Sequence, residues 1–392
     1  MKYNFDLVVN RRNTNSYKWD QTKQLFGDAD ILPLWVADMD FESPPAVKEA
    51  LIKRAMQGTY GYTIRSSEYE AAIVNWFARR HGWSLEPAWL ADVPGVVTAL
   101  SLAIDLCSAP GEQVILQSPV YNPFYDVIRL NGRKIAESPL IINNGRYEMD
   151  YGHLEQLMKQ GAKTMLLCSP HNPVGRVWER EELQKLSELC LKYNVLIISD
   201  EIHCDLVLPG YKHIPFASLS EEIAAQTVTA TAPTKTFNLP GLQSSFVAIS
   251  NRELKRRFDD RLKMLSLHSM PYFNVDAVTA AYNDGEEWLD ELLVYLQGNV
   301  QFAIDYLERH LPQVKAIRPE GTYLLWVDYR NLVGSAEEIK DLMFKQAKVA
   351  FTEGSIYGET GLGYIRINYA CPRSVLHEAL ERFCRAAQTK VR

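Results

Sequence analysis

The chain has 392 residues, 47% of them hydrophobic and 23% charged, with a formal charge of −6, a balance close to the globular average. At this length one core stops growing and about 75% of the unfolded surface is buried, which predicts one large domain and a smaller one. The negative charge is spread without a basic block, which argues against nucleic acid as a partner; no long uncharged apolar run or signal-peptide core occurs, which predicts a cytoplasmic protein with no membrane partner.

In chain order, "SPPAVKEALIKRAMQG" (43–58) has a serine, two prolines and a closing glycine around a helical repeat, predicting a helix capped by Ser43. "SSEYEAAIVNWFARRHG" (66–82) repeats the signal, with Ser67 and Glu70 spaced for a capping box. Short apolar runs follow at 113–119, 163–170, 195–201, 227–233 and 245–250, with a helical stretch at 179–193. Apolar strands alternating with helices predict an α/β core whose mainly parallel sheet is covered on both faces. The mixed-sign stretch "KRRFDDRLK" (255–263) predicts an exposed helix. A long helical pattern at 288–311 then gives way to alternating strands at 322–329 and 364–370. The expected division is a large domain at 46–284 and a smaller α+β domain formed by 1–45 and 285–392. The six cysteines, Cys107, Cys168, Cys190, Cys204, Cys371 and Cys384, include no CxxC pair, which predicts reduced buried thiols and no metal site.

Ligands of open parallel sheets bind beyond the carboxyl ends of the strands. Three predicted strands end in unusual polar groups: "SPHNPVGR", "SDEIH" and "APTK". Asp200 follows an apolar strand, where a carboxylate needs a positive partner; a helix cap, an arginine or a pyridinium nitrogen would each serve. Lys235 taken alone is a solvated side chain, but beside apolar surface its pKa would fall and its neutral amine could form a Schiff base with an aldehyde. Asn172 belongs to an ordinary NPxG turn or donates to a ligand oxygen. The three residues are spaced by about one βα unit each, so they are expected to meet.

These motifs, with "LPLWVADMDF" (32–41), "SPVYNPF" (118–124) and "KTFNLPGL" (235–242), resemble the fold-type I pyridoxal 5'-phosphate (PLP) enzymes of the aspartate aminotransferase superfamily. More narrowly, they are similar to the MalY/PatB-type cystathionine β-lyases. The resemblance implies an α/β fold with an aspartate aminotransferase-like large domain and a smaller α+β domain. It implies that Lys235 holds PLP and moves the substrate α-proton, that Asp200 partners the pyridinium nitrogen, that Asn172 donates to the ring's phenolate oxygen, and that Tyr121 stacks on the ring. "PGVVTALSLAIDL" (94–106) offers a helix start whose amides at Gly95, Val96 and Val97 suit the cofactor phosphate, with Thr231 and Thr234 as further donors. Ala232 and Gln243 stand where aminotransferases usually carry serine and arginine, and His203 where they carry tyrosine; histidine there is what the lyase branch has. Arg366 matches the arginine that grips the substrate α-carboxylate, Ala37 and Asp38 would line the substrate pocket, and Tyr62 would reach the partner subunit's cofactor, implying a homodimer with shared sites. The implied reaction is β-elimination from L-cystathionine or a related cysteine thioether. An aminotransferase and a PLP-binding regulatory protein are the alternatives.

Overall fold

A computed structural model describes residues 1–390. Seven strands, β1 Leu90–Pro94, β2 Gln113–Leu116, β3 Lys134–Glu137, β4 Thr164–Cys168, β5 Leu196–Asp200, β6 Thr227–Thr231 and β7 Ser244–Ala248, form the large sheet in the order β1-β7-β6-β5-β4-β2-β3. All neighbours are parallel except β7, which runs antiparallel to both β1 and β6. β1 and β3 lie outside the apolar runs that the sequence reading picked out, because "LADVP" carries one charged residue in five and "KIAE" two in four.

Side chains alternate across this sheet as the pleat requires. Met165, Leu167 and Ile197 enter one core, while Leu166, Cys168 and Ile198 enter another that includes the helix Val96–Cys107. Both faces of the central strands are therefore dry, which is why these strands read as unbroken apolar runs instead of a two-residue repeat.

The smaller sheet is antiparallel: β8 Lys315–Ile317, β9 Leu324–Asp328, β10 Thr352–Glu353 and β11 Tyr364–Asn368, ordered β8-β9-β11-β10. The N-terminal segment joins this part through Leu32–Pro33, which pairs in parallel with Val349–Ala350. One apolar core runs from Phe5 through the helix Glu286–His310 to Ala387.

Two helix starts differ from expectation. The first helix, Pro45–Ala55, has no side-chain cap, and Ser43 Oγ donates instead to Asn238 O at 3.1 Å. The second, Ser67–His81, is capped by Ser66, whose hydroxyl accepts from Tyr69 N, while Glu70 pairs with Arg65 at 2.9 Å. In a Ser-Ser pair either residue satisfies the cap pattern, and the ion pair with Arg65 decides the register.

Candidate active site

β4, β5 and β6 are parallel neighbours, so the polar residues at their carboxyl ends meet around a cavity of ≈ 440 Å³. Lys235 sits on the four-residue helix Pro233–Thr236, which begins two residues after β6 with proline in its first turn. Asp200 is the last residue of β5, and Asn172 lies in the turn after β4. All three line the cavity, together with Tyr121, His203 and Thr234. Two of the motifs are joined by backbone: Tyr121 N donates to Asn172 O at 3.0 Å.

Asp200 is buried, and one carboxylate oxygen accepts from Ile202 N at 3.1 Å. Among the described residues its other oxygen has no donor and no cation bonds to it. Burial, aided by the neighbouring Glu201 charge, pushes its pKa up to about 7. Burial, with some help from the Arg366 charge, pulls the Lys235 amine down to about 8, against the opposing charges of Asp38 and Asp200. His203 is likewise driven down by burial, then by the Lys235 and Arg366 charges, to about 3. It therefore enters the cavity wall as a neutral imidazole, with Nδ1 unpartnered. Burial raises the Tyr121 hydroxyl, keeping it protonated.

Arg366, on the interior strand β11, is buried and points to the cavity wall. Its Nη1 donates to Asn172 Oδ1 at 3.0 Å and its Nη2 to Trp35 O at 2.9 Å, while Nε has no acceptor. Among the described residues no carboxylate pairs with this guanidinium, so it keeps the capacity to take one. The loop 35–39 crosses beside it with its carbonyls occupied: Trp35 O by Arg366, Val36 O and Asp38 O by Asn368 at 2.6 Å each, and Met39 O by Asn238 at 3.0 Å. Ala37 O accepts from both Lys235 Nζ and Tyr323 Oη.

The helix Val96–Cys107 points its start at the cavity, and Gly95, Val96 and Val97 line it. Gly95, at φ +88°, spends its own amide on Val93 O at 2.9 Å, so the free amides are those of Val96, Val97 and Thr98, one residue later than expected. Three other candidates lie elsewhere. Thr231 points away from the cavity: its hydroxyl donates to Glu201 O at 3.1 Å, because residue alternation on β6 turns it to the opposite side from the residues flanking it. Asp38 lines an adjoining pocket of ≈ 790 Å³ that shares Ala37, Lys235 and Pro240 with the cavity, and it pairs with Arg11 at 2.6 Å. Tyr62 is fully exposed on this chain. The sequence reading missed Tyr323, Asn368, and the buried cluster of His81, Cys204 and Asp205. The side-chain partners that place them are 27 to 332 residues away in the chain, and no local pattern marks them.

Residues 29–383 match the family model described as aminotransferase class I and II. Cystathionine beta-lyase PatB of Bacillus subtilis is 44% identical over 97% of this chain and 98% of its own. Cystalysin from Treponema denticola, solved with pyridoxal 5'-phosphate, is 38% identical with a TM-score of 0.95, covering 100% of both chains. A PLP-bound putative aminotransferase from Clostridium difficile 630 is 46% identical with a TM-score of 0.97, covering 98% of this chain and 100% of its own.

The chain belongs to the class I and II aminotransferase family.

For a member of this family the cavity can be tested against PLP residue by residue. The half-satisfied Asp200 carboxylate suits a protonated ring nitrogen, the free amides of Val96, Val97 and Thr98 suit a phosphate, and the lowered Lys235 amine suits an aldehyde. Gln243, at φ +49°, stands in the cavity wall where family members usually place arginine. Within this chain, a phosphate at the helix start would meet amides and neutral side chains.

Proposed function

We propose that this protein is a PLP-dependent carbon–sulfur β-lyase, converting L-cystathionine or a related S-substituted cysteine and water into a thiol, pyruvate and ammonia. The observation that carries the reading is the convergence of Lys235, Asp200 and Asn172 on one cavity, with a carboxylate-free Arg366 bonded to Asn172 behind its wall, in a chain 44% identical to a cystathionine β-lyase along almost its whole length.

When bound, PLP supplies an aldehyde for the lysine and a ring that withdraws electrons from the substrate α-carbon. Asp200 holds the ring nitrogen protonated, Asn172 donates from its side-chain amide, and Tyr121 packs on the ring. Arg366 takes the substrate carboxylate, fixing which α-substituent faces Lys235. Lys235, partly neutral near pH 8, accepts the α-proton; the thiolate then leaves the β-carbon, whose bond electrons depart with sulfur. His203 and Ala37 form the cavity wall beside that step, and Thr234 adds a hydroxyl near the phosphate.

We take the finer parts of the picture as one proposal with this. Tyr62 is exposed beside Met56, Tyr60 and Ile64, an apolar surface that suits a homodimer in which Tyr62 reaches the partner's site. The two-domain division at 46–284 against 1–45 with 285–392 follows the placement of the large sheet within 90–248 and the small one within 315–368. The six cysteines are buried and unpaired, in keeping with a reducing cytoplasm, and thioether cleavage would place the protein in methionine and cysteine metabolism. Among the described residues no helix is long and apolar enough to cross a membrane.

The deciding experiment follows pyruvate and free thiol from L-cystathionine with PLP-loaded protein and no 2-oxo acid. Stoichiometric release over many turnovers supports the lyase. Amino transfer only after a 2-oxo acid is added would make the protein an aminotransferase instead.

A further inference from the structure

Thr236, the residue after Lys235, is fully buried, and its hydroxyl donates to Asp205 Oδ2 at 2.8 Å. Asp205 Oδ1 accepts from His81 Nε2 at 2.7 Å and from Trp76 Nε1 at 3.0 Å. Burial opposes ionisation of this carboxyl, yet the bonds from His81 and Thr236 hold it below its ordinary value. Its two oxygens thus serve three donors. His81, Cys204 and Asp205 have their ligand atoms within 4.8 Å of one another, and the three donors already compensate the buried carboxylate without an ion.

Asp205 also lies on the turn that leaves Asp200. On that turn Glu201 accepts from His213 Nε2 at 2.9 Å, from Ser199 Oγ at 2.8 Å and from Phe216 N at 3.0 Å. The His81 and His213 rings meet edge to face at 5.5 Å. The lysine segment is therefore tied to the 200–205 turn on both sides of Lys235: Thr231 to Glu201 O before it, Thr236 to Asp205 after it. None of these atoms belongs to the cavity wall.

We propose that Asp205, braced by His81 and Trp76, is a positioning residue which acts through Thr236 to fix the root of Lys235 relative to Asp200. The inference rests on the assignment of those two residues to the cofactor. A short helix of four residues has too few internal bonds to hold its own direction, and a displacement of about 1 Å at a reacting group costs on the order of a hundredfold in rate. The buried carboxylate supplies the missing constraint, since a charged acceptor forms the stronger class of hydrogen bond.

Thr236→Val removes the hydroxyl and keeps the shape; Thr236→Ser restores the hydroxyl. The readouts are the pH titration of the bound cofactor's visible absorbance, PLP affinity, and kcat and KM measured separately. Asp38, Arg366 and Asp200, whose charges act on Lys235, are unchanged in every variant, so a shifted titration reports a moved lysine. We expect Thr236→Val to stay folded and PLP-bound, to shift the absorbance midpoint by at least about 0.5 pH unit, and to lose about tenfold or more in kcat with KM little changed. Thr236→Ser should return to within about twofold of the parent. A valine variant with the parent's midpoint and kcat overturns the proposal. Should that variant fail to fold, His81→Gln, which keeps a donor for Asp205, is compared with His81→Leu, which does not; an unchanged titration in the leucine variant overturns it equally. The absorbance titration needs only bound PLP, so it reads out even if the pyruvate assay on the parent protein rejects the lyase.

Discussion

Asp200 costs the empty protein stability, which on the proposed reading returns when cofactor binds. Unfolded, this carboxyl loses its proton near 3.8; folded, it holds the proton up to about 7. Native stability therefore falls as pH climbs between those values, and the full cost is present above 7. Asp200→Asn should make the apo-protein more stable by ~1–4 kcal/mol at pH 8 and by nearly nothing at pH 4, read from urea unfolding at both. The same variant should bind PLP at least about tenfold more weakly, since a neutral amide cannot hold the ring nitrogen protonated. Equal stability at the two pH values would mean that Asp200 has a cation partner in the free protein. Lys235 titrates in the opposite sense for chemistry: with its pKa lowered to about 8, its neutral fraction rises about tenfold per pH unit below that value. The rate at which apo-protein takes up PLP should follow, levelling near pH 8; a rate still climbing toward 10.5 would describe a solvated lysine. Asp200 was legible from sequence because a carboxylate at the end of an apolar strand needs a reason; Lys235, a solvated side chain when taken alone, stood out through its spacing from Asn172 and Asp200.

Among the elements, the turn after β4 is the least tolerant. Gly175 has φ +73°, and a Cβ built there would lie 2.5 Å from Pro319 Cβ and 3.0 Å from Pro319 Cα. Its carbonyl also accepts from Glu320 N at 2.7 Å and Gly321 N at 3.0 Å, so the NPVG turn that presents Asn172 is pinned to the segment leading into β9. Gly175→Ala should cost ~2–4 kcal/mol from strain and overpacking together, measured as a lower denaturation midpoint, with PLP affinity falling alongside. A loss below about 0.5 kcal/mol would show that the 319–321 segment yields freely. The turn itself was readable from its NPxG composition; the clash with Pro319 was not, because it joins positions 144 residues apart. The same limit applies to the capping of the helices Pro45–Ala55 and Ser67–His81. Local rules place a start within a residue or two, and a distant acceptor such as Asn238 O or a nearby Arg65 chooses among the candidates.

At the scale of the molecule, the order of strands and helices and the strand-end rule were enough to bring Asn172, Asp200 and Lys235 to one cavity, since a parallel sheet must gather the ends of adjacent strands. Residues supplied by tertiary packing, such as Tyr323, Asn368 and Asp205, were invisible for the reason that they belong to no repeat. The proposed dimer has a consequence at this scale. If each site takes Lys235 from one chain and Tyr62 from the other, mixing Lys235→Ala with Tyr62→Ala chains should produce hybrids with one wild-type site and one doubly altered site. Denaturing and refolding the mixture should then yield about a quarter of parental activity, half of the dimers being hybrid with half their sites intact. Activity no greater than the sum of the two variants alone would place Tyr62 in its own chain's site or outside any site.

The carbonyl of Ala37 holds two donors at once, Lys235 Nζ and Tyr323 Oη. On the proposed reading this amine leaves for a cofactor, and it needs a resting place it can vacate cheaply. When Lys235 departs, the loop keeps the tyrosine's bond, so no buried acceptor is orphaned and no strand of the loop has to follow. The backbone here works as a mooring with a spare line: it steadies the lysine until a cofactor claims it, and lets it go without rearrangement.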